Sequence, residues 1–472
     1  MKHNFVAFFF TFFSLNLISQ VSYVNNFDNL SLTGLDVKQE IKTHSVFPFF
    51  LSDLSHYKYF KEIFPSKIEE KLVIRKLFYE DFYFLKTQDL ELRIDPILEF
   101  SKGEDNMVTK YKPYENTRGV LVRGKLGSRM FFVSYAIESQ RSVPYYIKRY
   151  ITNRRVVIPG FARFRYYRPD TLDCSLAGGE IFYKMTNNFF ISLGRGKNVI
   201  GYGYRTHILS FNPPPMTYFK ATYTAFDGRL MYSSIFALNN DIQVEGNAQK
   251  DILYKGYLNI NYLSYYLTKW LQIGMFEAKS FLNSVTAGYF LPVVGWNTLF
   301  YPTDSLHRVR FGFISSLRLL KSFMLYGQFL PECNDYQYGL LFSIEKNKFS
   351  FFSRIEFNKF NYTHNEILNQ EFFSHLNQNI GYSTEDANNE LIFDLTIKLH
   401  RIGLYYRYNE IKNQYKPNIT DDEKRYYRTI EAFVEINPSY RLQIFGRYIL
   451  HNDEKWITFG LRTNFLGRYI DL

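Results

Sequence analysis

The chain has 472 residues, of which 3 Trp, 40 Tyr and 48 Phe make 19% aromatic, roughly twice the ordinary globular share. A 46% hydrophobic content excludes a disordered chain, and a mean hydropathy of -0.25 excludes a polytopic helical membrane protein. With 57 basic against 45 acidic residues the formal net charge is +12, and the two cysteines, Cys174 and Cys333, exclude a disulfide scaffold or a cysteine-rich zinc site while leaving their own pairing open.

At the N-terminus, Lys2 and His3 precede a run from Phe5 to Ile18 that is apolar apart from Thr11, Ser14 and Asn16, with Ser19 and Gln20 following. Such a run is too short for a hydrocarbon core about 30 Å thick, and its basic start and small-residue end predict a cleaved export signal over 1–19. No later stretch approaches 18 uncharged apolar residues, so membrane residence after export requires strands. Between Asp36 and Asp89 the pattern is helical: Ser66 to Glu69 has the capping-box form, with Ile68, Leu72 and Val73 at helical spacing. One or two short helices are expected there, making residues 20–89 a periplasmic or plug segment.

From Leu90 the pattern changes to period two and persists almost to the end. Leu391, Phe393, Leu395, Ile397 and Leu399 alternate with Asp394, Thr396, Lys398 and His400; Tyr440, Leu442, Ile444, Tyr448 and Leu450 oppose Arg441, Gln443 and Arg447. Sandwich strands are usually about five or six residues, whereas these run to about ten, the length that spans a bilayer when tilted. Aromatic clusters such as Tyr405, Tyr406 and Tyr408 suit interfacial girdles. Short connections near Gly127, Asn187, Asp227, Lys269, Leu320, Lys346, Arg401 and Pro438 alternate with nine longer or more polar ones, which predicts an all-β transmembrane barrel of about 18 antiparallel strands over 90–472. Phe373 to Asp386 is assigned to a loop, because a lone extra strand would break the even count. A barrel of this size encloses a water-filled lumen unless plugged. Arg123, Lys125, Lys398, Arg407, Arg441, Arg447 and Arg462 fall on the inward rows against few acids such as Asp394. Two expectations follow, a cationic wall attracting anions and a wall whose charges pair with one another.

The run Asn188 to Ser210, containing Gly194-Arg-Gly-Lys-Asn-Val-Ile-Gly201-Tyr-Gly203-Tyr-Arg205, resembles the G-x-G-K-N-F-I-G-D-G-Y-R signature of Bacteroidetes outer-membrane proteins related to the Wzi capsule-assembly barrel and the gliding-motility protein RemB. Asn116 to Gly119, Glu138 to Gln140, Val157 to Gly160, Tyr262 to Glu277 and the C-terminal Phe459 to Leu472 are similar as well. The resemblance implies an eighteen-stranded barrel with an N-terminal helical part, non-enzymatic, acting in surface polysaccharide attachment or in gliding machinery, with outer-membrane lipid, acidic polysaccharide and other surface proteins as partners. Tyr202 stands where the family tends to have Asp, Phe211 where Asp often follows the Ser, and Tyr289 to Asn297 differs from the usual Y-L-N-P-V-I-F-Y-R. The alternative, from the lumen alone, is a general or anion-preferring porin.

The glycine-rich run lacks a G-K-[ST] ending and leads toward a strand rather than a helix, so it reads as bends and close backbone approach, not a nucleotide site. The nine histidines form no metal-binding spacing, no G-x-S-x-G elbow is present, and no cofactor or nucleic acid is implied. For sugars the favoured side chains are aromatic platforms beside charged donors. Arg163, Arg165, Tyr166, Tyr167 and Arg168 in one long loop, and Arg195, Lys197, Tyr204 and Arg205 after the fifth strand, are the candidates.

Overall fold

A computed structural model describes residues 22–24, 42–51, 71–107, 112–154, 157–168, 170–244, 251–282, 287–300, 307–346, 348–360, 373–382, 387–413 and 424–463. The 1–19 signal and the Ser66–Glu69 capping box lie outside them.

Eighteen strands close into one antiparallel ring. They are β1 (Leu90–Asp105), β2 (Tyr114–Leu126), β3 (Met130–Arg141), β4 (Thr171–Lys184), β5 (Phe189–Gly196), β6 (Met216–Ala225), β7 (Leu230–Val244), β8 (Asp251–Tyr266) and β9 (Leu271–Leu282), followed by β10 (His307–Leu319), β11 (Phe323–Leu330), β12 (Asp335–Lys346), β13 (Phe349–Lys359), β14 (Ala387–Leu399), β15 (Ile402–Asn413), β16 (Lys424–Asn437), β17 (Leu442–His451) and β18 (Glu454–Thr463). β18 pairs back onto β1 from Trp456↔Asp105 to Arg462↔Glu99. Closure gives each strand two hydrogen-bonded neighbours, which is what a strand needs to sit in hydrocarbon. All eight short turns fall where the sequence places them, at one end of the ring. The connections at the other end are mostly longer, but those at 331–334 and 452–453 are tight turns, so there only their polarity and not their length matches the expectation. Arg441 and His400 are turn residues at φ 53° and 54° rather than wall positions.

The outward rows carry the grease. On β1, Leu92, Ile94, Pro96, Leu98 and Phe100 point out while Asp95, Ile97, Glu99 and Ser101 point in. β14 repeats the predicted alternation, with Asp394 buried inside. The inward charges meet partners: Arg123 with Asp95 at 2.6 Å, Lys398 with Glu435 at 2.6 Å, Arg447 with Glu431 at 2.6 Å, and Arg407 with Asp394. Arg462 shares Glu431. The expectation of a cationic wall is thus corrected in favour of paired charges, because a carboxylate sits across from or beside each of these side chains.

The hydrophobic core lies within the lumen. Val46, Ile200, Ile208 and Leu209 pack against inward residues of the wall, including Met231, Ile235, Leu258, Ile260, Phe276 and Ile314. At the long-loop end, helix α1 (Tyr145–Arg154) buries Tyr146, Ile147 and Ile151 against Leu172, Leu176, Tyr427, Ile449 and Trp456. Upstream of the ring, the helix Leu72–Phe78 starts at Lys71 without a side-chain cap. It is tied to the short-turn end by Asn437, whose Nδ2 donates to Lys76 O and Glu80 O at 2.9 Å each, and by Ser439 Oγ, which donates to Tyr79 O at 2.7 Å. Phe373 to Tyr382 is a small inward hairpin outside the ring, as the even count requires. Cys174 and Cys333 are not bridged.

Candidate functional site

After β5 the chain turns into the lumen instead of out toward solvent. Gly194 at φ 148° and Gly201 at φ 130° supply backbone that L side chains rarely adopt, and Pro213, Pro214 and Pro215 stiffen the exit. Ile200 bridges to Leu209, and Val199–Ile200 pairs with Val46–Phe47. A Cβ on Gly201 would overlap Gln328 Nε2, the same side chain that donates to Ile200 O at 3.3 Å. Gly201→Ala is expected to cost about 1–3 kcal/mol through strain and overpacking, read as a lowered melting temperature in detergent; an unchanged melting temperature would contradict this packing.

The inward loop is held by polar side chains of the wall. Glu356 accepts from Tyr204 N at 2.7 Å, Arg205 N at 3.2 Å, Tyr326 Oη at 2.6 Å and Asn358 Nδ2 at 2.9 Å. Arg205 Nε donates to Glu390 at 2.8 Å, with the two side chains 1% and 0% exposed, and Gln337 Nε2 donates to Arg205 O. Asn409 also donates to Glu390, at 2.7 Å. Arg407 lies over the Tyr204 ring, 3.4 Å from its centroid.

Residues 43–47 fill the lumen toward the short-turn end. Thr43 Oγ1 meets Tyr202 Oη at 3.0 Å, Ser45 N donates to the same oxygen at 3.2 Å, and Ser45 Oγ meets Tyr262 Oη at 2.8 Å. His44 Nε2 donates to Gly228 O at 2.8 Å. Tyr202 in turn donates to Gln272 at 3.2 Å and accepts from Arg318 at 3.2 Å. The tyrosine that departs from the family signature is therefore a hub between the N-terminal segment and the loop. The 373–382 hairpin completes the filling: Ser210 Oγ donates to Gly381 O at 2.6 Å, and Gln378 joins Gly160 N at 3.0 Å. Little in the sequence pointed to Gln328, Gln337, Glu356, Glu390 or Asn409, since single polar residues on inward rows are ordinary in any such barrel.

Two buried histidines sit in these lumen insertions. His207 stacks on Phe360 at 4.6 Å, and its Nε2 has no hydrogen-bond partner among the described residues. His375 Nδ1 accepts from Asn240 N at 3.2 Å, and the ring also hydrogen-bonds the Pro215 backbone. Burial pushes both down to about 3, with Arg310 adding to the effect on His207 and Arg195 to that on His375. Burial also holds Lys197 down to about 7.

The nine candidate residues divide into three places. Lys197 and Arg205 are buried; Lys197 donates to Gly160 O at 2.6 Å and Phe211 O at 2.9 Å. Tyr204 lies beside them, half-buried, while Arg195 is exposed and follows Leu193 on the outward row of β5. Arg163, Arg165, Tyr166, Tyr167 and Arg168 stay together, and residues Phe164–Arg168 form a short strand against the start of β4 at the long-loop end. Tyr166 and Tyr167 are 51% and 52% exposed, Arg165 pairs with Asp173 at 2.8 Å, and Arg168 lies 5.3 Å from the Tyr167 centroid. Tyr166 also meets Thr152 of α1 at 3.3 Å; this helix lies within the long connection 141–170, where the sequence shows no helical pattern. Among the described residues, no group of three or more His, Cys, Asp or Glu is placed to hold a metal.

This architecture has solved counterparts. Wzi of Escherichia coli, described as an outer-membrane carbohydrate-binding β-barrel involved in group 1 capsule assembly, superposes with a TM-score of 0.56 over 94% of this chain and 99% of its own, at 14% identity. The fold is that of an outer-membrane β-barrel. Two Pseudomonas aeruginosa barrels, OccK3 and OpdK, superpose less well, with TM-scores of 0.43 and 0.44 at 11% and 8% identity, covering 79% and 80% of this chain and 95% and 99% of theirs. No family model and no curated protein matches the sequence.

Proposed function

We propose that this chain resides in the outer membrane as a non-enzymatic barrel with a closed lumen, and that its exposed rim binds acidic surface polysaccharide during attachment or assembly. The observation that carries the reading is the filled interior: the 197–215 loop, the 373–382 hairpin and residues 43–47 hydrogen-bond to the wall and to one another where a porin would hold water. In this reading the 1–19 leader directs export, residues 20–89 form a periplasmic or plug segment, and the short turns face the periplasm. The rim cluster from Arg163 to Arg168 then faces outward, with tyrosine faces for sugar rings and guanidinium groups for carboxylates. Carbohydrate binding by the structurally similar Wzi is consistent with it. A porin reading lacks a comparable observation, since the paired inward charges leave little field to select anions.

Binding of the detergent-purified protein to acidic and neutral polysaccharide tests the rim. Arg165→Ala with Arg168→Ala is expected to lower affinity for the acidic polymer roughly tenfold or more, a charge-assisted hydrogen bond contributing about 1.5 kcal/mol or more. Unchanged binding in the double variant would sink the site.

A further inference from the structure

On β8, and on β9 from Glu277 onward, the rule of apolar outside and polar inside is inverted. Leu258, Ile260 and Tyr262 point into the lumen, so Asn259 and Asn261 point out; on β9, Ile273 and Met275 are exposed on the outer row, and the same row continues to Glu277 and Lys279. Six residues of about 3.3 Å on a strand tilted by some 40° place Glu277 about 15 Å above the short-turn end, within an apolar band about 25 Å tall. Yet the Glu277 and Lys279 side chains are both 0% exposed.

What covers them is the connection between β9 and β10, whose described residues 287–300 fold down over the outside of the wall. Glu277 accepts from Thr298 N at 2.8 Å, Thr298 Oγ1 at 2.9 Å and Asn297 Nδ2 at 3.3 Å. Asn261 Nδ2 and Lys279 Nζ both donate to Leu291 O, at 3.0 Å and 3.1 Å. The strap therefore turns its own polar atoms toward the wall. Its other side carries Phe290, Val293, Trp296, Leu299 and Phe300, with Leu299 77% and Phe300 60% exposed. These continue the outward apolar surface of Ile273, Met275 and Phe313 beside and below.

We infer that residues 287–300 form a lipid-embedded strap, whose apolar face lies among the acyl chains of the bilayer while its backbone and the Asn297 and Thr298 side chains hydrogen-bond the outward Glu277–Lys279 patch. A bare charge at this depth costs up to about 2–4 kcal/mol in a transmembrane barrel; the strap replaces that exposure with hydrogen bonds and an apolar cover. Acyl chains are its occupant because its exposed side chains are continuous with the wall that the same chains must wet. The inference rests on bilayer residence alone and is independent of glycan binding.

The test compares full-length protein with Trp296→Phe in vesicles of phosphatidylcholine brominated along the acyl chain, with vesicle flotation first establishing that the barrel is inserted. The Trp296 contribution, taken by difference against the remaining Trp270 and Trp456, is expected to fall at least twofold with bromine in the chains and to resist aqueous iodide. Quenching by iodide without quenching by bromine would place the strap in water and overturn the inference. Resistance to both would overturn it in favour of a covering protein copy. Failure to float would count against bilayer residence itself.

Discussion

Glu390→Ala is expected to destabilise the filled lumen more than any other single substitution considered. The carboxylate accepts from Arg205 Nε at 2.8 Å and from Asn409 at 2.7 Å, and Arg205 is 1% exposed. Removing one partner of a buried pair leaves an uncompensated charge, at about 3–5 kcal/mol, which the loop that carries Arg205 relieves by leaving its packed position for solvent. The wall itself gains two strand neighbours from backbone pairing and does not depend on this contact. The expected outcome is therefore an intact barrel with a loosened interior: unchanged β-sheet circular dichroism, but new cleavage sites between residues 197 and 215 for an added protease. Cleavage equal to that of the parent protein would show that Arg205 is held by something other than Glu390.

Acidification is expected to do the same without mutation. His207 and His375 are held down to about 3 against an ordinary 6.5, so the packed loops bind fewer protons than the released ones. For a base with a lowered value, the stabilisation is fully present above pH 6.5 and is withdrawn as pH falls from 6.5 toward 3. Each pH unit in that window removes up to ~1.4 kcal/mol per histidine. The groups facing His207 are the Phe360 and Tyr382 rings with Arg310 nearby. His375 lies near Arg195, its hydrogen bond to the Pro215 backbone opposes part of the burial effect, and the Asp241 carboxylate bonds its neighbours Ser374 and Asn377, so His207 is expected to carry the larger share of the loss. Lys197, held down to about 7, is already penalised below that pH and adds no loss in this window. Protease access to the 197–215 loop should rise between pH 6 and pH 4, and His207→Phe with His375→Phe should blunt the rise. A pH-independent digestion pattern would contradict the role of the histidines.

The ring was legible in the sequence because a bilayer imposes period-two patterning and an even strand count: Leu391 to Leu399 displays the first, and the eight short turns from Gly127 to Pro438 carried the second. The interior was less legible. Inward apolar residues such as Ile235, Leu258 and Ile260 look like lipid-facing positions until a loop is known to pack on them, and β8 reads equally well with its faces exchanged. The inward course of 197–215 left a trace in Gly194 and Gly201, whose spacing suggested close backbone approach but not its partner. Of the candidate site, the Arg163 to Arg168 cluster stayed together because it is local in sequence. Arg205 was drawn away by Glu390, 185 residues distant, a pairing that no local pattern encodes.

The closed lumen is tested most directly by single-channel recording of the purified protein in planar bilayers at neutral pH. The account predicts a flat baseline at concentrations where porins of this strand number give stepwise current. Stable, uniform open-channel steps from the unmodified protein would contradict it.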